Sequence, residues 1–166
     1  MHFREIKPDE FEHVYEMGYK EWTKGRTYEQ YVKENQKEEK NGSRFVLADD
    51  TDKIIGSLIV ITFRIRLFDQ TLPLYGLGSV AIEQEERGKG YGKRLLEECL
   101  AAFGKSDNSI FMLYSDIHPS FYHPFHFKEL PHHLQRYEKS ICMVRAQDPI
   151  YHAICQLPVT QLPAYF

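Results

Sequence analysis

Residues 79–96 read SVAIEQEERGKGYGKRLL. A short apolar run, Val80-Ala81-Ile82, enters the polar stretch Glu83-Gln84-Glu85-Glu86, and glycine then falls at every second position: Gly88, Gly90 and Gly92. Leu95 and Leu96 begin an apolar stripe that continues through Cys99, Leu100 and Phe103 at helical spacing, and Gly104 closes it. The segment is therefore a buried strand, a glycine-rich loop and a helix in direct succession. Unpaired N–H groups at a helix start point outward, and the helix dipole adds partial positive charge. Glycines let the backbone approach a ligand closely. Arg87, Lys89, Lys93 and Arg94 add full charges. Such a loop suits a phosphate, and a diphosphate best. The plainer reading is a connection whose glycines only serve the turn. Neither the GxxxxGK[ST] nor the GxGxxG spacing of the common nucleotide loops occurs here.

Upstream, residues 2–6 are predicted to form a short strand. Pro8-Asp9-Glu10 opens a helix bearing Phe11, Val14, Tyr15, Gly18 and Trp22 on one face. Thr27 is predicted to cap a second helix that ends at Asn41-Gly42. Strands are expected over 45–48, 54–63 and 74–82, with Gly76 and Gly78 hinting at a bulge or a close backbone approach and 64–73 ambiguous. Downstream, Ile110–Tyr114 reads as a buried strand, 119–125 as one or two helical turns, and 128–137 and 139–145 as further strands. Pro149, Pro158 and Pro163 mark residues 146–166 as an extension, with room for one short helix, that packs on the domain or on a partner.

The 166 residues suit one domain with a full core. Composition is that of an ordinary globular protein, 42% hydrophobic and 27% charged. A net charge of -3 argues against a nucleic-acid-binding protein, which needs a surplus of Lys and Arg. No apolar run reaches the length of a membrane span. The three cysteines, Cys99, Cys142 and Cys155, are odd in number and far apart, which points to a reducing cytoplasm rather than a disulfide framework.

Arg87-Gly88-Lys89-Gly90-Tyr91-Gly92 matches the Gln/Arg-x-x-Gly-x-Gly/Ala signature of the GNAT superfamily, with Val80-Ala81-Ile82 at the usual distance upstream. The predicted order of elements over about residues 2–145 also resembles that family. The resemblance implies an α/β GNAT-like acyl-CoA N-acyltransferase fold. Its sheet is mixed, mostly antiparallel and six- to seven-stranded, flanked by about four helices. The domain would span 1–145. The resemblance further implies that amides of Arg87, Gly88, Lys89, Gly90, Tyr91, Gly92 and Lys93 bind the diphosphate of acetyl-CoA, the co-substrate. Val80, Ala81 and Ile82 would offer backbone groups to its pantetheine arm and acyl carbonyl.

Phe121-Tyr122-His123-Pro124-Phe125-His126-Phe127 resembles the family's FYxxxGF, with His126 in place of glycine. By that match Tyr122 is the acid that protonates the leaving thiolate, a transfer between groups of comparable pKa. The match also leaves the plainer role, packing of a short helix. For the base that deprotonates the amine, the candidates are Asp116 first, then Glu83 and His118; the position where some relatives carry a glutamate is Gly76. His118, His123, His126, His132 and His133 invite a metal reading. Pro124 interrupts the one helical pair, His123 and His126, no HExxH occurs, and no metal is expected.

The expected activity is acyl transfer, most simply of acetyl, from CoA to a primary amine by direct attack in a ternary complex. The acceptor would be a small molecule or a protein amine. The chain would be a monomer or homodimer in the cytoplasm, engaging neither nucleic acid nor membrane. The rival expectation is a CoA-binding module of the same fold without turnover.

Overall fold

The computed structural model describes residues 1–164 and 166. Seven strands form one sheet: β1 (His2–Glu5), β2 (Gly42–Ala48), β3 (Ile54–Leu67), β4 (Gln70–Ile82), β5 (Ile110–Ser115), β6 (Lys128–Glu129) and β7 (Ile141–Arg145). Among the described residues four α-helices accompany them: α1 (Phe11–Trp22), α2 (Tyr28–Glu39), α3 (Tyr91–Phe103) and α4 (Asp148–Cys155). Hydrogen-bonded neighbours run β1-β2-β3-β4-β5-β7-β6. The β4–β5 ladder is parallel, and the β1–β2, β2–β3, β5–β7 and β6–β7 ladders are antiparallel. The mixed, mostly antiparallel α/β architecture expected above is the one observed.

The chain divides into two compact units, one of Met1–Ile61 with Gly78–Ala102 and one of Thr62–Leu77 with Phe103–Phe166. In the first, α1 packs an apolar face on the strands through Val14 and Met17, which join Val46, Ile54 and Ala81 in one cluster with Ile6 against it. Helix α2 starts where the sequence places it. Thr27 accepts from the Gln30 amide while the Gln30 side chain accepts from the Thr27 amide, a capping box that satisfies two orphan donors. In the second unit, Phe111, Met112, Phe127, Leu134, Met143 and Ile154 are fully buried.

The ambiguous stretch 64–73 is a β-hairpin. Strand β3 runs to Leu67, and Phe68 (φ 51) and Asp69 (φ 58) make a two-residue turn of left-handed residues before β4 begins. In β4 the left-handed residue is Ser79 (φ 49), while Gly76 is a close approach, where a Cβ would meet the Phe166 ring at 2.7 Å and the Phe63 ring at 2.8 Å. The strand expected over 128–137 is only Lys128–Glu129. Pro131 ends it, and a single 3-10 turn, His132–Leu134, buries Leu134 in its place.

The C-terminal residues lie on their own unit. Tyr114 donates its phenol to the Pro163 carbonyl at 2.6 Å, Arg136 donates to the carbonyls of Val159 and Leu162, and the Phe166 ring packs tilted against Phe63 and edge-on against Tyr114.

Candidate functional site

In the first unit, the end of β4 has two unlike edges. The Glu83 amide donates to the Ile55 carbonyl at 2.9 Å, so Ala81 and Glu83 turn their backbone groups toward β3. Strand alternation then turns those of Val80 and Ile82 the other way. On that side the ladder with β5 ends at Leu77, paired with Leu113. Ser79 reinforces the break, since a left-handed residue inside a strand interrupts regular pairing.

Beyond β4, Gln84–Glu86 form one 3-10 turn and Arg87 is extended. Gly88 and Gly90 then take φ +75 and +84, and a methyl group built on either would meet nothing within 4 Å. Both positions are left-handed and open, a conformation that glycine adopts without the cost of a Cβ. Helix α3 begins at Tyr91, and Arg94 makes an early helical bond, to the Gly90 carbonyl at 3.1 Å. Among the described residues, no backbone carbonyl outside the helix accepts from the amides of residues 88–93. The result is a run of amide donors at a helix start without backbone acceptors outside the helix, the kind of group an anionic ligand engages.

The charges around this run are partly spoken for. Arg87 meets Glu21 at 2.5 Å, Lys89 meets Glu86 at 2.8 Å and Arg94 meets Glu98 at 2.6 Å. The basic partners of these pairs are exposed and the acidic ones partly so, which leaves the pairs screened by solvent. The Lys89 ammonium, held by Glu86, has its pKa raised. Lys93 is exposed on the first turn of α3.

Three side-chain contacts near this edge escape sequence reasoning. Trp22, the last residue of α1, donates its indole N–H to the Val80 carbonyl at 3.1 Å. Arg87 donates through Nε to the Ile82 carbonyl at 3.2 Å. His13 of α1 pairs with Glu83 at 2.9 Å, which engages one of the three base candidates. No local pattern announces these contacts.

Asp116 and Tyr122 belong to the second unit. Asp116 follows β5 and accepts a short hydrogen bond from Ser140, a buried residue beside β7. Tyr122 is buried at the junction of two 3-10 turns, Pro119–Phe121 and His123–Phe125. Its ring meets Phe121 edge-on at 5.0 Å and Phe127 at 6.0 Å. His126 takes the left-handed conformation (φ 64, ψ 22), so the turn is kept although glycine is absent. Three of the other histidines have ordinary partners: His118 bonds Ser120, His123 faces Glu129 at 3.3 Å, and His133 meets the Cys155 carbonyl.

A sequence model of the acetyltransferase (GNAT) domain matches residues 2–129. The chain belongs to the GNAT acetyltransferase family. Among solved structures it is similar to a GNAT N-acetyltransferase from Escherichia coli in complex with CoA, at 17% identity and TM-score 0.66, covering 87% of this chain and 79% of that one. A spermidine N-acetyltransferase chimera from Vibrio cholerae and hSSAT gives 15% identity and TM-score 0.63, covering 90% and 98%. A probable N-acyltransferase from Enterococcus faecalis gives 17% identity and TM-score 0.66. There 77% of this chain is covered, but the chain spans only 32% of that protein's length. No curated protein matches the sequence significantly. At these identities the likeness is one of fold, and the matched GNAT region contains the whole strand–loop–helix segment described above.

The cysteines of this GNAT domain are not poised as nucleophiles. All three are buried and free. Burial pushes the thiols of Cys99 and Cys142 up to about 12. A thiol-specific reagent at pH 8 is therefore expected to label none of the three in the native protein within minutes, and all three in denaturant. Fast native labelling would contradict this burial.

Proposed function

We propose that this GNAT protein transfers an acetyl group from acetyl-CoA to a primary amine by direct attack in a ternary complex. The observation that carries the reading is the run of amides at residues 88–93, from which no backbone carbonyl outside the helix accepts among the described residues, at the start of α3 and beside the end of β4 beyond its ladder with β5. Acetyl-CoA fits these residues. Its diphosphate suits the amides of residues 88–93 with Arg87, Lys89 and Lys93, and its extended pantetheine arm suits the edge at Val80 and Ile82, with Ala81 between them turned toward β3. Bound there, it supplies a thioester carbonyl open to attack by nitrogen.

The protein's part is mainly positioning and electrostatics. Edge N–H groups stabilise the carbonyl oxygen as it gains charge. Asp116 takes the proton that the attacking ammonium loses, directly or through water. Tyr122 gives a proton to the departing sulfur. The acceptor is a small-molecule amine or a protein amine. The protein works as a monomer or homodimer, and three free cysteines suit the cytoplasm. Among the described residues no helix is long and apolar enough to cross a membrane. Residues 146–166 serve as an extension to the 1–145 domain and hold the second unit together.

The test is CoA thiol release with a panel of amines, read by a thiol reagent to which the buried cysteines stay silent. Tyr122→Phe is expected to lower kcat about 100-fold while leaving the KM for acetyl-CoA within about twofold. Saturable CoA binding without thiol release from any amine would contradict turnover and favour a binding module. An unchanged kcat in Tyr122→Phe would remove the phenol from the mechanism.

A further inference from the structure

Two consecutive residues at the end of α1 engage groups on which the proposed cofactor site depends. The Trp22 indole holds the Val80 carbonyl at 3.1 Å. The Glu21 carboxylate holds the Arg87 guanidinium at 2.5 Å. Arg87 in turn reaches the Ile82 carbonyl, two residues from Val80 on the same strand edge. One short piece of helix thus touches both the strand edge and the loop cation.

This end of α1 is locally well held. Thr23 Oγ1 donates to the Tyr19 carbonyl at 2.6 Å, and Arg26 donates to the carbonyls of Trp22 and Thr23. The chain then turns through two left-handed residues, Lys24 (φ 44) and Gly25 (φ 74). Lys24 lies over the Trp22 ring, its ammonium 5.6 Å from the centroid. Trp22 and the backbone of this helix end are therefore held by their own segment, apart from what they gain from Val80.

We propose that Glu21 and Trp22 are an internal competitor for acetyl-CoA, drawing on the Val80 carbonyl and the Arg87 guanidinium that the cofactor also needs. This inference rests on the assignment of the strand edge and glycine loop to CoA. A pantetheine amide N–H seeks a strand carbonyl, and a diphosphate seeks a guanidinium. Each contact made by α1 has to be exchanged for one made by the cofactor. Affinity is then reduced by the fraction of molecules in which α1 holds those groups. The sign of the consequence is distinctive. Removing a merely structural contact weakens binding, whereas removing a competitor strengthens it.

The experiment is calorimetric titration of coenzyme A into the full chain, the wild type beside Trp22→Phe and Glu21→Gln, with circular dichroism as the check on folding. Each substitution is expected to lower the Kd about threefold to tenfold, the range of one exchanged hydrogen bond. Trp22 is the sole tryptophan of the chain, so CoA is also expected to shift the emission of the wild type. Equal or weaker binding by the folded variants would overturn the inference while leaving the cofactor site standing. Glu21 is on the surface, and Glu21→Gln decides the matter should Trp22→Phe not fold. A folded wild type that binds no CoA would overturn the cofactor site and this inference together.

Discussion

Gly90→Glu is expected to weaken CoA binding by more than about 100-fold and to leave the circular dichroism spectrum unchanged. Gly90 sits at φ +84 on the last residue before α3, and a side chain there enters open space rather than the core. The fold therefore bears only the strain of a left-handed residue, about 1–2 kcal/mol. Binding bears far more, because a carboxylate lands among the donors proposed for a diphosphate, and juxtaposed like charges cost several kcal/mol. Gly90→Ala separates the two effects. It carries the strain without the charge and is expected to lose less than about tenfold. Equal losses in both variants would mean that loop shape, not anion recognition, is what matters.

Arg44→Ala is expected to destabilise the protein by about 3–5 kcal/mol, the usual result of stranding a buried ion-pair partner. The Arg44 side chain is 2% exposed, and it bonds Glu39 at 2.7 Å and Asn35 at 2.8 Å. Tyr15 gives a short hydrogen bond to the other oxygen of Glu39, and burial with that bond pushes the Tyr15 phenol well above its ordinary value. Close by, Glu38 has one buried oxygen without a partner, and burial raises its pKa while the charge of Arg44 lowers it. Without Arg44 that restraint is gone. A carboxyl with a raised folded pKa binds protons more readily folded than unfolded, so stability falls as pH rises from the ordinary carboxylate value through the raised one. The deficit of Arg44→Ala is thus expected to be largest at neutral pH and to shrink toward pH 5 in urea titrations. A loss below about 1 kcal/mol, or one that grows on acidification, would contradict the buried cluster.

The elements legible in the sequence were those written by neighbours along the chain. Thr27 and Gln30 are three residues apart and make their own cap. Leu95, Leu96, Cys99 and Leu100 share one buried stripe of α3. Gly88 and Gly90 occupy the left-handed positions that the loop reading required. Elsewhere the signal was misleading or absent. Phe68 and Asp69 form a turn that usually recruits asparagine and glycine, so nothing marked it. Leu134 looked like a strand residue because apolar identity reports burial and not backbone angle, and here a 3-10 turn buries it. Trp22 and Val80 are 58 residues apart, and their bond exists only once the chain has folded. The C-terminal residues also could not be placed beforehand, since Arg136 and Tyr114 hold them through main-chain carbonyls, which every residue possesses.

The most direct measurement is a crystal structure of the protein with coenzyme A. The expected result is a diphosphate within about 3 Å of main-chain amides between Gly88 and Lys93, with the pantetheine arm along Val80 to Ile82. A diphosphate bound at any other place, with those amides turned away from it, would contradict the proposed enzyme.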